Sequence, residues 1–386
     1  MEFVLKAAKH PNFRELCREY QISPKTGYKW KQRFEEEGWF GMQEQSRRPH
    51  GHADELKEAV VCEMVRLKRA HPRWGPRKIR ALYGRKHGPE VPSESSFKRV
   101  LERAGLTVRR RYRRARQAGR LSSGLQAAQP NDVWTVDFKG WWNDSQGKRV
   151  EPLTVRDEYS RMILELRALE NARSDTVRKC FEELFERYGL PGAIRSDNGT
   201  PFASANGLLG LSRLSVWWLA LGINLERNRP GCPQDNPGHE RMHRDVHDEL
   251  QIQRIGRDQE AFDVWQQEYN QERPHESLGM RVPAEVYRSS ERRYEGTPED
   301  LDYEGMDVRK VHPQTGVISY KNEAIFLSMA LGGWSVGLSP CKDGTHEVWF
   351  SRLLLGHVDP QEASFKEVAA NKDPKAKPSS TAGGAS

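Results

Sequence analysis

The chain has 386 residues, 36% of them hydrophobic, and it contains no apolar run long enough for a membrane span. Residues 1–120 hold 30 Lys and Arg against 14 Asp and Glu, whereas residues 121–386 hold 32 against 40. The basic front part predicts contact with a polyanion, and nucleic acid is the usual one. The five cysteines are scattered without a Cys-x-x-Cys pair, so the sequence suggests neither a disulfide framework nor a cysteine zinc site, and we expect a reducing cytoplasm.

A helix-turn-helix DNA-binding domain is predicted for residues 1–48. Ser23 can cap a helix with Pro24 at its first position, which is a strong start signal. The exposed face of that helix is basic, and this favours a recognition helix in the major groove over an ordinary helical hairpin. The candidate DNA-contacting residues are Lys25, Lys29, Lys31 and Arg33.

A second helix-turn-helix domain is predicted for residues 53–107. Its last helix is capped by Ser93 and exposes Lys98 and Arg99, which are further candidates for DNA contact. Residues 108–130 form a basic linker, interpreted either as disordered or as an arm that follows phosphates. The arginines of this linker that we expect to contact DNA are Arg109, Arg110, Arg111, Arg113, Arg114 and Arg116.

The character of the chain changes at residue 131. Three strands, a helix, a strand, a helix, a strand and further helices are predicted over residues 131–285, the order of a ribonuclease-H-like α/β core. Five short strands with glycine turns over residues 304–360 predict a small β-barrel domain. Residues 371–386 are rich in Lys, Pro, Ser, Gly and Ala and predict a disordered tail.

Three acidic residues in this core are candidates for metal chemistry. Asp137 lies near the end of the first strand, Asp197 follows the fourth, and Glu240 begins a helix. A carboxylate among apolar neighbours is costly unless it binds a cation or accepts hydrogen bonds. Three converging carboxylates suit two Mg²⁺ ions, with substrate phosphate completing the coordination.

Four motifs along the chain resemble the bacterial insertion-sequence transposases that have a retroviral-integrase-type core. The first three are Trp134-Thr135-Val136-Asp137-Phe138-Lys139-Gly140, Ser196-Asp197-Asn198-Gly199-Thr200-Pro201-Phe202, and Pro230-Gly231-x-Pro233-Gln234-x-Asn236 followed by Glu240-Arg241-Met242-His243. The fourth is Tyr269-Asn270-x-x-Arg273-Pro274-His275-x-Ser277-Leu278. The resemblance covers nearly the whole chain.

The resemblance implies a role for each part of the chain. Asp137, Asp197 and Glu240 become the Asp-Asp-Glu triad that holds Mg²⁺ or Mn²⁺. The implied activity is DNA cleavage and strand transfer by an oligomer on double-stranded terminal repeats and target DNA, in a bacterial cytoplasm and close to the nucleoid. Arg244 and His247 lie on the same helix face as Glu240, where DNA contact and a solvated charged face are equally good interpretations.

Two features of this region leave alternatives open. Pro237 stands where the family usually has glycine, in a loop expected to flex, so a decayed DNA-binding regulator without catalysis is one alternative. His239-Glu240-x-x-His243 also matches the pattern of zinc metalloproteases. That remote alternative leaves the aspartate motifs and the helix-turn-helix units unexplained. The 42 residues between Asp197 and Glu240 exceed the common spacing, and residues 207–215 are the expected insertion.

Overall fold

A computed structural model describes residues 2–44, 56–107, 125–144, 146–229, 236–253 and 258–368. The chain divides into two compact units, Met1–Val61 and Cys62–Ser386, and the finer domain boundaries remain predictions. The predicted tail lies outside the described residues. No helix in the described part is long and apolar enough to cross a membrane.

The first unit contains three short helices, α1 (Glu2–Ala7), α2 (Phe13–Glu19) and α3 (Pro24–Glu37). Ser23 caps α3 as predicted, because its side chain accepts a hydrogen bond from the Thr26 backbone N–H at 3.1 Å. Leu16 and Cys17 are fully buried at the centre of the unit. A side chain at Gly27 would meet Cys17 Sγ at 2.7 Å, so glycine allows α3 to approach α2 closely.

The next three helices are α4 (Glu58–Ala70), α5 (Pro76–His87) and α6 (Glu94–Arg103). Ser93 caps α6 as predicted. Residues between α4 and α5 contact the second unit's later helices through ion pairs: His71 Nδ1 lies 2.9 Å from Glu268 Oε1, and Arg73 Nη2 lies 2.6 Å from Asp248 Oδ2. These two ion pairs therefore link the segment between α4 and α5 to α9 and α10.

A six-stranded sheet forms the core of the second unit. Its strands are β1 (Val133–Phe138), β2 (Trp142–Asn143), β3 (Arg149–Asp157), β4 (Ile163–Leu169), β5 (Ala193–Ser196) and β6 (Asn224–Arg227). The strands β1, β3 and β4 are antiparallel, and β1, β5 and β6 are parallel. This order matches the predicted ribonuclease-H-like core. The adjacency of β1 and β5 brings both aspartate motifs to one sheet edge.

Five helices accompany this sheet: α7 (Ser174–Tyr188), α8 (Arg213–Ala220), α9 (Pro237–Gln253), α10 (Gln259–Gln271) and α11 (Pro283–Val286). The apolar faces of α7 and α8 pack with β1, β3 and β5 around buried Trp134, Phe185 and Trp217. On another face, α9 and α10 cover β4 with Val246 and Phe262. The carboxyl end of β1 is thus left between α9 and the β5–α8 connection.

The C-terminal strands form open sheets, and the predicted small barrel is not confirmed. They are β7 (Asp307–Lys310), β8 (Val317–Tyr320), β9 (Glu323–Phe326), β10 (Ser335–Pro340), β11 (His346–Phe350), β12 (Leu353–Asp359) and β13 (Ser364–Glu367). Five of them pair in the order β13-β12-β11-β10-β7, and β8 pairs with β9 as a separate hairpin. Among the described residues no ladder joins the two sheets into a closed ring.

The predicted insertion has a structural role. Leu208 and Leu211 are buried in the same apolar cluster as Val336 and Phe350 of the C-terminal sheet. The backbone N–H of Leu209 also donates to a Glu367 carboxylate oxygen at 2.8 Å. The segment between Asp197 and α8 is therefore the surface on which the C-terminal sheet packs.

Candidate functional site

The two aspartates lie level with each other because of the strand register. Thr135 on β1 is paired with Arg195 on β5 in a parallel ladder. Asp137 and Asp197 each follow these partners by two residues, so they lie at the same edge of the sheet. Asp137 is half-buried, whereas Asp197 is exposed and receives the Gly199 N–H at 3.1 Å.

Glu240 reaches this edge from the first turn of α9, where it is exposed. The helix begins at Pro237, within the stretch where the sequence predicts a loop. Asn236 precedes it, and its carbonyl accepts the Glu240 N–H at 3.2 Å. Proline suits the first helical position, since its missing N–H has no partner in the helix. The expectation that Pro237 stiffens a loop over the substrate is therefore wrong: it starts a helix.

The surroundings of Asp137 oppose the ionisation of its carboxyl group. Burial raises the pKa of Asp137 to about 7, and the like charges of Asp197 and Glu240 contribute to the increase. A bound cation would stabilise the ionised form of such a carboxyl group. Asp197 and Glu240 therefore lie near enough to Asp137 for their charges to act on it.

Two histidines on α9 face the sheet below this site. The Thr154 hydroxyl donates to the Asp137 carbonyl at 2.9 Å, so its oxygen accepts from the Nε2 atoms of both His239 and His243. The hydroxyl of Thr135 lies 3.0 Å from His239 Nδ1. The histidine pair thus fixes the start of α9 on β1 and β3.

Both imidazoles are neutral in this environment. Burial lowers the pKa of His239 well below its usual range, and burial with the charges of Lys139 and Arg156 lowers the pKa of His243 to about 3. With Nε2 donating to Thr154, His243 presents its other nitrogen, Nδ1, to Asp137 Oδ2 at 3.8 Å.

A buried arginine supports the same helix start. The Arg156 guanidinium on β3 lies where a side chain at Gly238 would be, with its nitrogens 2.5 Å from the ideal Cβ position. The Arg156 side chain is 2% exposed, and it pairs with Glu158. Sequence reasoning missed Arg156, Thr154 and the structural role of the histidines. Thr154 lies 85 and 89 residues from the two histidines, and no local pattern links them.

Two sets of side chains offer metal ligands at this sheet edge. The triad offers carboxylate oxygens, which hard divalent cations prefer. Asp137, His239 and His243 form a second group that can hold a metal ion, with one candidate ligand atom from each lying within 4.8 Å of the others. In that group the Nε2 atoms already bond to Thr154, so His243 Nδ1 and Asp137 are the more accessible donors.

The other predicted site residues differ in their exposure to solvent. On α3, Lys25 and Lys29 are exposed, whereas Lys31 and Arg33 are half-buried. The remaining described candidates, in chain order, are Lys98, Arg99 and Arg244, which are exposed, and His247, which is half-buried. The arginine run from Arg109 to Arg116 lies outside the described residues.

Two neighbours of the site in the family motifs have structural roles. Asn198 donates from Nδ2 to the Asn228 carbonyl at 2.7 Å, which links the end of β5 to that of β6. His275 is packed edge-on against Tyr269, and burial lowers its pKa to about 2. Neither residue contacts the triad through a described hydrogen bond.

Comparisons with known proteins agree with this architecture. Integrase core domain models match residues 127–233 and 221–283, a helix-turn-helix domain model matches residues 1–50, and a homeodomain-like domain model matches residues 26–101. The 39.2 kDa protein of insertion element IS476 from Xanthomonas euvesicatoria is 28% identical over 234 residues, which are 59% of this chain and 64% of that protein. The chain thus spans less than two thirds of that relative.

Two further similarities involve another insertion element and a solved structure. The 31.7 kDa protein of insertion element IS407 from Burkholderia multivorans is 27% identical over 238 residues, covering 60% of this chain and 82% of that protein. The catalytic core domain of BIV integrase aligns with 41% of this chain and 93% of its own at 24% identity, with a TM-score of 0.33. The sequence matches show helix-turn-helix domains ahead of an integrase core domain in this chain, and a similarity to proteins of bacterial insertion elements.

Proposed function

We propose that this protein cleaves the ends of its mobile element and joins them to target DNA. In this proposal the helix-turn-helix domains bind the terminal inverted repeats as double-stranded DNA. At least two protomers act together, because two ends must be cut and joined. The place of action is the bacterial cytoplasm, at the nucleoid.

The proposed catalytic residues are Asp137, Asp197 and Glu240, which would hold two Mg²⁺ or Mn²⁺ ions. When bound, these ions supply Lewis acidity at the phosphodiester and activate the attacking water or 3′-hydroxyl. The strand register and the position of Glu240 in the first turn of α9 support this assignment. Arg244 and His247, further along α9, are proposed to contact the DNA backbone.

The parallel pairing of β1 with β5, which puts Asp137 and Asp197 at one sheet edge, is the observation that carries this proposal. Burial is the main cause of the raised pKa of Asp137, and the like charges of Asp197 and Glu240 add to it, which supports a role for all three acids. Such repulsion is retained at a cost, and divalent cations relieve it.

A strand-transfer assay on a terminal-repeat duplex tests the catalytic assignment. We expect Asp137→Asn and Glu240→Gln each to lower Mg²⁺-dependent joining by at least about a hundredfold, since each removes a charged ligand. Glu260→Gln is the matched control, because Glu260 is exposed in the first turn of the neighbouring helix α10. Undiminished joining by the triad variants would show that the catalysis resides elsewhere.

The alternatives are tested by the same samples. The alternative of a DNA-binding regulator without catalysis rests on Pro237 in a flexible loop. Because Pro237 lies at the start of α9, that argument no longer supports it. The zinc metalloprotease retains one supporting observation, the Asp137, His239 and His243 group. Zinc-dependent peptide cleavage without DNA joining would favour it over the transposase.

A further inference from the structure

A second cluster of metal-ligating side chains lies on the C-terminal sheet. Cys341 directly follows β10, Glu347 is on β11 and His357 is on β12. The Cys341 sulfur, a Glu347 carboxylate oxygen and a His357 ring nitrogen all lie within 4.8 Å of one another. All three residues are partly buried, so the cluster is reachable from solvent and still sheltered.

The strand register produces this cluster. Glu347 is directly opposite His357 in the β11–β12 ladder, and Ser339 is directly opposite Glu347 in the β10–β11 ladder. Cys341 follows Ser339 by two residues, and its N–H donates to the Thr345 carbonyl at 2.8 Å. Since side chains alternate along a strand, all three donors fall on one face of the sheet. Three consecutive strands therefore fix the cluster without any long loop.

The donor atoms indicate which ion would fit. A thiolate, an imidazole and a carboxylate together are typical zinc ligands, whereas a sulfur donor is unsuited to Mg²⁺. Cys341 is a free thiol. Trp349 donates from Nε1 to Glu347 Oε2 at 2.9 Å, which orients the carboxylate and leaves its other oxygen available.

A competing cation is directed away from the cluster. Lys366 on β13 is paired with His357 in the β12–β13 ladder, and it could neutralise Glu347. Its ammonium group lies 3.3 Å from a Glu362 carboxylate oxygen instead. The charge of Glu347 is thus available to an incoming metal ion.

We propose that Cys341, Glu347 and His357 bind a Zn²⁺ ion, with water as the fourth ligand. The ion would join β10, β11 and β12 on the outer face of the sheet and stabilise it. This site is separate from the acidic triad, and the proposal does not depend on strand transfer.

Zinc content of the purified full-length chain tests the proposal. After saturation with Zn²⁺ and dialysis against metal-free buffer, we expect Cys341→Ser and His357→Gln each to lose one equivalent relative to the chain without these two substitutions. Every sample carries Asp137→Asn, which weakens the other candidate group. Cys62→Ser is the thiol control, because Cys62 is an exposed free cysteine on α4, and it should retain that equivalent.

Cobalt substitution tests direct ligation by sulfur. The Co²⁺-loaded chain should show a sulfur-to-cobalt charge-transfer band that Cys341→Ser removes and Cys62→Ser retains. Glu347→Gln should weaken Co²⁺ binding by more than about tenfold while leaving a partner for Trp349. Equal zinc content in all variants, or a band that survives Cys341→Ser, would overturn the proposal. Circular dichroism of His357→Gln, whose sulfur is intact, separates lost ligation from lost folding.

Discussion

Asp137 lies where its surroundings oppose ionisation, and this has a consequence for stability. Its pKa is about 7 in the folded chain, against an ordinary value near 3.8. The folded state therefore binds a proton that the unfolded state has already lost between these values. Stability contributed by this residue is highest at low pH and falls as pH rises through about 7.

We therefore expect Asp137→Asn to stabilise the metal-free protein in a pH-dependent way. The gain should be near zero at pH 4 and about 1–3 kcal/mol at pH 8, allowing for the part of the side chain that meets water. Thermal unfolding in the presence of a chelator measures it. Added Mg²⁺ should then raise the melting temperature of the unmutated chain more than that of the variant. A gain equal at both pH values would contradict the raised pKa.

Gly238 is a second residue whose substitution should have a measurable effect on stability. An added methyl group would lie 2.5 Å from the guanidinium nitrogens of Arg156, which is buried and paired with Glu158 and so cannot move freely. Gly238→Ala should destabilise the protein by about 1–3 kcal/mol and lower metal binding, because it displaces the start of α9. Gly75→Ala is the control, as nothing lies within 4 Å of its added Cβ. Equal melting temperatures for the two variants would exclude this role of Arg156.

The sequence allowed some site residues to be predicted and not others. Asp137, Asp197 and Glu240 each lie within a recognisable motif, and strand adjacency follows from the order of elements. Thr154 carries no motif of its own, and its importance arises from packing between β3 and α9. Contacts of this kind depend on three-dimensional approach, which local periodicity does not encode.

At the scale of elements, α9 is tied down by a buried ion network. Arg273 follows α10, and its guanidinium lies 2.9 Å from Glu249 Oε2 and 2.7 Å from Asp245 Oδ2, both on α9. Trp265 Nε1 also donates to Glu249 at 2.8 Å. The Arg273 of the fourth family motif therefore holds the helix that carries Glu240.

Arg273→Ala should destabilise the protein by about 3–5 kcal/mol, because it leaves Glu249 buried without its cation. Denaturant unfolding followed by α-helical circular dichroism measures this loss. Arg309→Ala breaks an exposed ion pair with Asp307 and should cost less than about 1 kcal/mol. Similar costs for the two variants would show that the buried network contributes little.

The elements themselves were mostly predictable, and the exceptions have physical reasons. Capping by Ser23 and Ser93 followed from local chemistry, and both caps are confirmed. Ser174 is a residue type that often caps helices, but in α7 it is the first helical residue, and Arg173 occupies the cap position without a side-chain bond. The apolar pattern of α7 begins early enough that packing, rather than capping, sets its start. Closure of the C-terminal strands depends on strand pairing far apart in sequence, which strand lengths alone do not specify.

At the scale of the whole molecule, charge separates the basic front from the acidic rear. If α3 contacts phosphates, binding to a duplex should weaken with salt in proportion to the contacts made. Changing both Lys25 and Lys29 to Gln should then reduce the slope of log affinity against log salt by up to about 1.8. Fluorescence anisotropy with a labelled duplex measures it. Lys179→Gln, an exposed lysine on α7, is the control. An unchanged slope in the double variant would assign DNA contact to another surface.

The packing of Leu208 and Leu211 against the C-terminal sheet changes the meaning of the long interval between Asp197 and Glu240. The interval is a poor measure of catalytic geometry, since β5 and α9 fix both ends whatever the path between them. The length of the interval instead reflects how the C-terminal sheet is attached to the core. A deletion that shortened the interval would leave β5 and α9 in place. It would remove the residues on which the C-terminal five-stranded sheet packs. Among related elements, interval length and the presence of such a sheet should therefore be inherited together.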